Sequence, residues 1–352
     1  MKKTITTSIL VAVLGFTALT ANAKSWRINS DVTKKADFVD INAAMSSENV
    51  TAGDTLYLDP GCNLTSNQSV TKAVTIVGPG YLRNDAPHQG AVFTGKLYLK
   101  QANTKVEGVI MRGDNYIQAQ YVTIERCYIQ EPVYIGYNST NAQYSTIKQC
   151  YILNYIEGHT NINYSGYSTI VNNIIISNRN FANGSGGVVN GLQYATIANN
   201  YIAATHNGTY YNAWVIGNIT GGEIENNILL NTGKAPDNIL ANMENCKIRN
   251  NIMSCIEGTY TTIGDNIYLG SNDESLVFAL EGTYDQRYQL KNGSPAKGYA
   301  TDGGDCGPFD GGYPYVLNGQ PAGYPYYTKA NIATRAKDGK INVSLNIKMQ
   351  NE

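Results

Sequence analysis

The chain has 352 residues, of which only 15% are charged, and its formal net charge is −1. This balance argues against nucleic acid as a partner, because nucleic-acid-binding domains usually carry a basic face, and it weakens, without excluding, a strongly polyanionic substrate. Glycine is abundant, at 35 residues, and 27 tyrosines stand against 6 phenylalanines. The composition is typical of an exported all-β protein whose turns need glycine and asparagine.

The first 23 residues have the pattern of a secretory signal peptide. Lys2 and Lys3 precede an apolar run from Ile9 to Leu19, and Ala21-Asn22-Ala23 forms a small-x-small cleavage site. The apolar run is far too short to span a membrane. We therefore expect a soluble mature protein without membrane insertion, exported to the periplasm or out of the cell.

Residues 24–49 are predicted to cap the N-terminal end of the fold. Within Asp37–Ser46 four apolar side chains share one face of a short helix: Phe38, Ile41, Ala44 and Met45. Such a helix would cover strand edges that the first coil otherwise leaves unpaired. Residues 50–290 are then predicted to form a stacked solenoid, with early strands in Ala52–Leu58 and Ala73–Gly78.

A seven-residue phrase, Thr-Ile-x-x-(Asn/Cys)-x-Ile, recurs along this region. Its starts are separated by 23, 23, 27, 27, 24 and 15 residues. The copies are Thr123–Ile129, Thr146–Ile152, Thr169–Ile175, Thr196–Ile202, Glu223–Leu229, Lys247–Met253 and Thr262–Tyr268. Short apolar pairs around a polar bend, repeated every twenty-odd residues, predict stacked coils of short buried strands.

The fifth position of the phrase predicts a ladder inside the solenoid. It is occupied in turn by Cys127, Cys150, Asn173, Asn200, Asn227, Asn251 and Asn266. Side-chain amides at the strand spacing of about 4.8 Å can hydrogen-bond from coil to coil and satisfy a buried bend. Cys127 and Cys150 are small enough to replace asparagine there, and a reduced pair is favoured over a disulfide.

Two residues before the phrase lies a column of tyrosines: Tyr121, Tyr144, Tyr167 and Tyr194. Rings in register on successive coils can stack, and strand alternation turns them outward. One hypothesis is an exposed platform that binds sugar rings. The other is a row that only stabilises the stack or lies under a loop.

An asparagine ladder at the bend between two short strands resembles the right-handed parallel β-helix of the pectate-lyase-like superfamily. The resemblance covers Val50 to Tyr268, and the opening over residues 52–78 is similar to that of alginate-lyase-like and chondroitinase-like proteins. It implies an all-β, right-handed parallel β-helix with an N-terminal capping helix and an irregular C-terminal cap. It implies less about activity, because many chemistries and several non-enzymes share this architecture.

In that superfamily the cleft lies beside the loops that follow the strand entered through the asparagine bend. Aligned on the repeat, Arg179 and His206 fall in one column on adjacent coils, flanked by Glu157, His159 and Lys234. β-Elimination of a uronic-acid polysaccharide needs a base for the C5 proton and a cation or Ca²⁺ to neutralise the carboxylate. Arg179, His206 and Lys234 are therefore the catalytic candidates, with Glu157 and His159 as substrate-binding candidates. The alternative is that all five are ordinary solvated loop residues.

The resemblance does not extend to known catalytic motifs. The chain lacks the Asn-Thr-Asp and Asp-Asp elements of polygalacturonases, and it lacks the Trp-Ile-Asp-His and Arg-x-Pro-x-x-Arg segments of pectate lyases. Acidic residues near the candidate cleft are too sparse to predict a Ca²⁺ cage, and three histidines with these cysteine spacings predict no zinc site. No metal ligand or cofactor is assigned, although Ca²⁺ remains compatible with the chemistry.

Residues 291–352 are predicted to close the C-terminal end. Ser294–Gly312 is rich in glycine, proline and aspartate, and a tyrosine- and proline-rich stretch follows it. Ile341–Met349 alternates as a half-buried strand does. This tail is interpreted as a cap folded over the last coil, or alternatively as a docking or sorting strand for a partner.

Together these features predict an exported protein that engages polysaccharide, as a lyase acting by β-elimination. The alternative is a glycan-binding or structural, adhesive surface protein without catalytic activity. The sequence does not identify the glycan or the oligomeric state.

Overall fold

A computed structural model describes residues 23–81, 90–178, 186–205, 213–232, 239–254, 261–282, 284–320, 325–332, 335 and 339–349. The strands of successive coils stack along one axis and form three long sheets, named A, B and C. In each coil the chain passes through the sheets in the order A, B, C. Sheet A comprises Ser25–Ile28, Thr55–Leu58, Thr75–Val77, Lys105–Glu107, Thr123–Glu125, Thr146–Lys148, Thr169–Val171, Thr196–Ala198, Glu223–Glu225 and Lys247–Arg249. Sheet B comprises Asn63–Leu64, Val92–Phe93, Ile110–Met111, Tyr128–Ile129, Tyr151–Ile152, Ile174–Ser177, Tyr201–Ala204, Ile228–Asn231, Ile252–Met253, Thr261–Ile263 and Asn266–Tyr268. Sheet C comprises Gln68–Val70, Leu97–Leu99, Asn115–Ile117, Val133–Ile135, Ile156–Glu157, Gly186–Asn190, Ala213–Thr220 and Leu240–Glu244.

The predicted right-handed parallel β-helix is therefore confirmed. The second position of each repeat points into the solenoid and is fully buried in Ile124, Ile147, Ile170, Ile197 and Ile224. These residues are directly paired from coil to coil, as in Ile147 with Ile124 and Ile170. Stacked β-branched side chains fill a narrow interior between three sheets, which is why the apolar pairs of the repeat are so uniform.

The fifth-position residues form a continuous hydrogen-bonded row inside the bend between sheets A and B. Asn200 is typical: its Nδ2 donates to the carbonyl oxygens of Ile170 and Ala198, at 2.8 and 2.9 Å, and to Asn227 Oδ1 at 3.0 Å. Its own Oδ1 accepts from the backbone N of Asn173 at 2.9 Å. Equivalent bonds join the row from Asn173 to Asn266.

Cys127 and Cys150 continue this row with sulfur. Cys150 Sγ lies 3.7 Å from the Ile124 oxygen and 3.2 Å from the Lys148 oxygen, the same pair of carbonyl positions that asparagine Nδ2 bonds on later coils. Both cysteines are free thiols, as are Cys62, Cys246 and Cys306. The reduced pair stays a prediction, and Cys255 lies outside the described residues.

The N-terminal region contains both a helix and a strand. The helix is shorter than predicted, Ile41–Ser46, because the Asp40 side chain accepts the Ala43 N–H at 2.7 Å and caps it there. Ile41, Ala44 and Met45 are buried as expected, whereas Phe38 precedes the helix and pairs with Ile28 through an isolated bridge. Ser25–Ile28 adds an edge strand to sheet A that the sequence pattern did not predict.

The last copy of the repeat does not form a full coil. Its first strand, Thr261–Ile263, pairs antiparallel with Asn266–Tyr268 in sheet B instead of joining sheet A. The interval of 15 residues before this copy is shorter than the 23 to 27 residues that separate the other copies. Asn266 still completes the asparagine row, because its Oδ1 accepts the Asn251 amide N–H at 3.1 Å.

Residues 294–320, here called the strap, run back along the outside of the solenoid from its last coils toward its first. Asn250 Nδ2 donates to the Tyr299 oxygen, Asn172 Nδ2 to the Asp310 oxygen and Gln149 Nε2 to the Pro314 oxygen. Each donor belongs to the fourth position of a repeat, where the backbone adopts a positive φ between 51° and 55°. The strap is irregular, as predicted, but it extends along most of the solenoid and is not confined to the last coil.

The strap and the residues just before it cover the outer face of sheet B. Tyr151, Ile174, Tyr201 and Ile228 point away from the solenoid interior yet are buried against a second apolar cluster. The hydroxyl groups of Tyr81, on an early coil, and Tyr315, in the strap, hydrogen-bond at 2.5 Å. Sheet B therefore has a buried outer face, and only sheets A and C present open faces.

The C-terminal residues form a two-stranded antiparallel hairpin of Pro325–Ile332 and Val343–Met349. The second strand lies within the predicted segment Ile341–Met349, but its described side chains are not half-buried: Ile341, Val343 and Leu345 are exposed, and so are Ser344 and Asn346. In the part of the chain that the structure describes, no helix is long and apolar enough to cross a membrane. The predicted signal peptide, apart from Ala23, lies outside the described residues.

Candidate functional site

The three catalytic candidates, Arg179, His206 and Lys234, lie outside the described residues. Each belongs to a connection from sheet B to sheet C, as the strands on either side of it show. Ile174–Ser177 and Gly186–Asn190 flank the first connection, and Tyr201–Ala204 and Ala213–Thr220 flank the second. Their proposed convergence therefore remains a prediction.

The two other candidates from that cluster are described. Glu157 ends a sheet C strand, in register with Tyr134 on one side and Asn190 on the other. His159 lies in the turn that follows: its Nδ1 accepts the Asn161 N–H at 3.1 Å, and its ring meets the Tyr164 ring at 4.6 Å. These contacts leave Nε2 as the ring nitrogen for a ligand or a proton.

The outer face of sheet C carries a tyrosine stack that the sequence analysis missed. Tyr98, Tyr116 and Tyr134 are paired in register, with centroid separations of 4.9 and 5.2 Å and interplanar angles of 8° and 13°. Glu157 and then Asn190 continue the same row on the next coils. The sequence does contain a pattern that marks this stack. A tripeptide with tyrosine in the middle and an aliphatic residue at its end recurs at Leu97–Leu99, Asn115–Ile117 and Val133–Ile135.

Charged and hydroxyl groups lie beside this stack. Lys96 Nζ pairs with Asp114 Oδ2 at 2.9 Å, and Tyr116 donates its hydroxyl to the same oxygen at 3.0 Å. Lys100 lies 5.1 Å from the centroid of the Tyr98 ring, within the range of a cation–π contact. Sheet C thus carries aromatic rings, ammonium groups and a carboxylate on one strip parallel to the solenoid axis, in which Tyr116 is buried and Tyr98 and Tyr134 are partly exposed.

Two tyrosine hydroxyls on this face, those of Tyr116 and Tyr134, stay protonated. Burial raises the pKa of Tyr116, and the hydrogen bond to Asp114 raises it further. Burial and the hydrogen bond shared with Tyr155, 2.8 Å between hydroxyls, raise the pKa of Tyr134 well above its usual value. These phenols can donate hydrogen bonds, but at neutral pH they cannot serve as bases.

Polar side chains also continue the face past the tyrosines. Asn218 Nδ2 donates to Asn190 Oδ1, and Asn242 Nδ2 donates to Asn218 Oδ1, each at 2.8 Å. Gly187 and Gly217 are in close contact on the same strands, where a Cβ on Gly187 would lie 2.5 Å from the Gly217 nitrogen. A Cβ on Gly217 would lie 2.6 Å from the Trp214 ring, so these glycines leave room for a neighbouring strand and for an indole ring.

The predicted tyrosine row, Tyr121, Tyr144, Tyr167 and Tyr194, is stacked and exposed. The ring centroids lie 5.1, 5.2 and 5.5 Å apart, and each side chain is 41% to 51% exposed. Because each ring covers the face of the next, the inner rings present their edges and hydroxyls to solvent and not their faces. Gly221 continues the row, and a Cβ there would lie 2.6 Å from the Tyr194 ring.

The outer face of sheet A forms a groove of about 960 Å³ with the strap. Lys105 bridges Glu107 and Glu125 at 2.8 and 2.6 Å, and Lys148 pairs with Glu125 at 3.0 Å. Burial opposes the charge on Glu125, but the hydrogen bonds and charges of the two lysines outweigh it and lower its pKa. Lys148 also lies 4.3 Å from the centroid of the Tyr313 ring.

No cage for a metal ion is evident in the described ranges, where no three His, Cys, Asp or Glu side chains are grouped to hold one. The sheet A groove pairs its two carboxylates with cations, and on sheet C Asp114 is paired with Lys96. A Ca²⁺ site requires six to eight oxygen ligands. The described side chains alone do not fit this ion.

No family model matches the chain, and no curated protein matches it. Three solved structures do, among them a pectate lyase from Bacillus sp. N165 in complex with trigalacturonate, at 12% identity and a TM-score of 0.37, covering 77% of this chain and 90% of that one. A polysaccharide lyase of family PL6 from Pseudopedobacter saltans has 14% identity and a TM-score of 0.30, covering 85% and 98%. The Dettilon tailspike protein has 12% identity and a TM-score of 0.29, covering 58% and 56%. At these scores the similarities carry no functional argument, and the fold rests on the three parallel sheets.

Proposed function

We propose that the protein is exported and binds a linear, acidic polysaccharide along the outer face of sheet C, where it cleaves the chain by β-elimination. The observation that supports this proposal is the strip formed by Tyr98, Tyr116, Tyr134 and Glu157. Its side chains repeat once per coil, as the units of an extended polymer do. A strip of this kind suits a long chain better than a compact ligand.

An acidic glycan fits the charges along this strip. Lys96 and Lys100 lie beside the tyrosines, and Arg179 and Lys234 belong to connections that enter the later sheet C strands. Cations next to aromatic rings and hydroxyl donors can bind sugar carboxylates and hydroxyls together. Asp114 and Glu157 would discriminate between sugars by accepting hydroxyl hydrogen bonds.

The proposed reaction assigns separate roles to the candidates. His206, as the base, takes the proton from C5 of the uronic acid, while Arg179 neutralises the adjacent carboxylate. The electron pair forms the C4–C5 double bond as the C4–O bond breaks, and the leaving oxygen takes a proton from water. Tyr134 acts as a hydrogen-bonding group for the sugar and not as a base, because its pKa is raised.

The decisive experiment measures the ultraviolet absorbance of the unsaturated product. Mature protein is incubated with a panel of uronic-acid polysaccharides, with and without Ca²⁺, beside His206→Ala and Arg179→Ala. The expected result is absorbance from the wild type and a loss of 100-fold or more in each variant, in line with the typical contribution of a catalytic acid or base, about 10²–10⁴-fold. Glu157→Gln and Tyr134→Phe serve as controls on the binding strip. They are expected to raise KM by a larger factor than they lower kcat.

Absence of product on every polysaccharide would overturn the elimination mechanism for that panel. Equal activity in wild type and His206→Ala would overturn the assignment of the base. Mass spectrometry of protein exported from cells tests the predicted cleavage after Ala23 and is independent of the activity assay.

A second candidate function, glycan binding without cleavage, is supported by the exposed tyrosine row. Since the inner ring faces are covered, a glycan on this row would contact hydroxyls and ring edges. Tyr144→Phe, which removes only the hydroxyl, should then weaken retention on an immobilised glycan, and Tyr144→Ala, which also removes the ring edge, should weaken it more. Unchanged retention in both Tyr144→Ala and Tyr167→Ala would rule the row out as a binding surface.

A further inference from the structure

Asp54 is a fully buried carboxylate at the start of the second strand of sheet A. It accepts hydrogen bonds from the backbone N of Lys24 at 2.8 Å, from Trp26 Nε1 at 2.8 Å and from the backbone N of Thr51 at 2.9 Å. All these donors are neutral as long as the chain continues through Ala23. None of the ion pairs found among the described residues includes Asp54.

A buried carboxylate without a counter-charge is costly, because hydrogen bonds from neutral groups replace only part of its hydration. Burial by itself would raise the pKa of Asp54, but the hydrogen bonds from Lys24, Thr51 and Trp26 outweigh this effect and lower it. The carboxylate is therefore ionised. Among the described residues, no cation forms an ion pair with this carboxylate.

Lys24 N, which donates to Asp54 Oδ1, belongs to the peptide bond at which the signal peptide is predicted to be cut. Lys24 N lies 2.8 Å from that oxygen, and Lys24 O accepts the Thr55 N–H at 2.8 Å. Ser25–Ile28 pairs in parallel register with Thr55–Leu58. The strand therefore holds this nitrogen against the carboxylate before any charge is present.

We propose that Asp54 is the binding site for the N-terminal ammonium group that is released when the Ala23–Lys24 bond is cut. Water adds across this bond in a reaction catalysed by a leader peptidase. The carboxylate remains on Ala23 of the leader, and the new amino group of Lys24 takes up a proton from solvent. The neutral hydrogen bond becomes an ion pair without movement of the strand.

This inference rests on the predicted cleavage site and gives processing a structural consequence. In the uncut chain Arg27 already pairs with Asp59 at 2.6 Å, but Lys24, the residue before the edge strand, contacts Asp54 only through a neutral hydrogen bond. In the processed chain this first residue is also held by charge, at the end of the solenoid where sheet A has an open edge. Removal of the leader thus completes the N-terminal cap.

The test compares four proteins in a thermal melt. One begins with a free amino group at Lys24, and its partner keeps Asn22 and Ala23, so that Lys24 N is an amide. The other two carry Asp54→Asn on each of these backgrounds. The authentic terminus should melt roughly 2–4 °C higher than the extended one, and Asp54→Asn should abolish this difference. Equal melting of the first pair, or a difference that survives Asp54→Asn, would overturn the proposal.

A second measurement does not depend on the folding of Asp54→Asn. Pairing should raise the pKa of the Lys24 amino group above the usual range of about 7.7–8.0. Acylation of this group at pH 8 should then be at least about tenfold slower in the folded protein than in a peptide of the same first residues. Equal rates would contradict the ion pair. An exported protein that begins elsewhere than Lys24 would overturn the assignment of the site to the processed chain.

Discussion

Two neighbouring positions of the same bend build two different parts of this molecule. The fifth position of each repeat points inward, and its asparagines bond to the coils directly before and after. The fourth position points outward with a left-handed backbone, and its side chains bond to the strap. Asn172 reaches Pro308, 136 residues further along the chain, and Gln149 reaches Pro314, 165 residues further. The same short repeat therefore provides two kinds of contact. Its fifth position bonds neighbouring coils inside the solenoid, and its fourth position bonds the distant strap outside it.

The largest effect is expected where the inner row is interrupted. Asn200→Ala removes three donated hydrogen bonds and the acceptor of the Asn173 amide, all in a buried bend. We expect a loss of about 3–5 kcal/mol in the free energy of unfolding, measured by urea denaturation.

Asn200→Cys is the matched control for this change. Cys127 and Cys150 already bond to the corresponding carbonyl oxygens on earlier coils. The cysteine variant should therefore lose clearly less stability than the alanine variant. Equal losses would mean that the row depends on the amide itself and not on filling the bend with a donor.

The outer row should be weaker, and backbone conformation should contribute to it. Asn172 donates to the Pro308 and Asp310 oxygens at 3.0 and 2.6 Å, and its φ is 55°. Asn172→Gly removes only the side-chain bonds, at about 1–2 kcal/mol. Asn172→Ala should cost about 1 kcal/mol more, because alanine is strained in the left-handed region. Limited proteolysis should cut the strap faster in both variants than in the wild type. An unchanged rate of cleavage would show that the fourth-position side chains do not hold the strap in place.

The buried layer under the strap predicts a pH dependence through Asp285. Burial raises the pKa of Asp285, despite hydrogen bonds from Asn318 N and the Tyr315 hydroxyl. The folded state then binds the proton more tightly than the unfolded state, so its stability falls as pH rises from the ordinary pKa of about 3.9 to the raised value. Melting temperatures across this range should show the fall in the wild type and not in Asp285→Asn. The same slope in both proteins would assign it to another group.

The open face of sheet A predicts the opposite sign through Glu125. Lys105 and Lys148 lower its pKa, so its contribution to stability is present above about pH 4.3 and is lost as pH falls through the lowered value. Glu125→Gln should remove this acid-side loss. Added salt should reduce it only partly, because the carboxylate is mostly buried. Full suppression by salt would indicate an exposed pair.

The smallest effect is expected at the C-terminal hairpin. Its two strands make their contacts chiefly with each other, and Ile341, Val343 and Leu345 are exposed. A chain that stops after Gln320 keeps the whole strap and should unfold within about 0.5 kcal/mol of the full chain. A larger loss would show that the hairpin packs on the solenoid. Comparison of the two chains by light scattering would also test the predicted docking role.

The sequence by itself determined the solenoid, the inward row and the exposed tyrosines. These features depend on contacts between residues one coil apart, so the same residue types must recur at a regular interval, as Ile124 and Ile147 or Tyr144 and Tyr167 do. Glu157 was expected in a loop beside the cleft, and the structure instead places it on the sheet C strand Ile156–Glu157. Arg179, His206 and Lys234 lie in the connections where the interval varies, and their placement stays a prediction.

Only the tertiary structure decided the course of the strap and the contact between Lys24 and Asp54. Each joins segments whose spacing is irregular or occurs once, so no periodic pattern marks it. The stack of Tyr98, Tyr116 and Tyr134 is different, because its tyrosines recur every 18 residues and were missed in the sequence although the pattern is there. The strap is bound by fourth-position asparagine and glutamine side chains, and each of them meets a different group of the strap. A contact that repeats from coil to coil requires the same residue type in each coil, so it can be recognised in the sequence. A contact that occurs once produces no such pattern, and only the folded chain shows it.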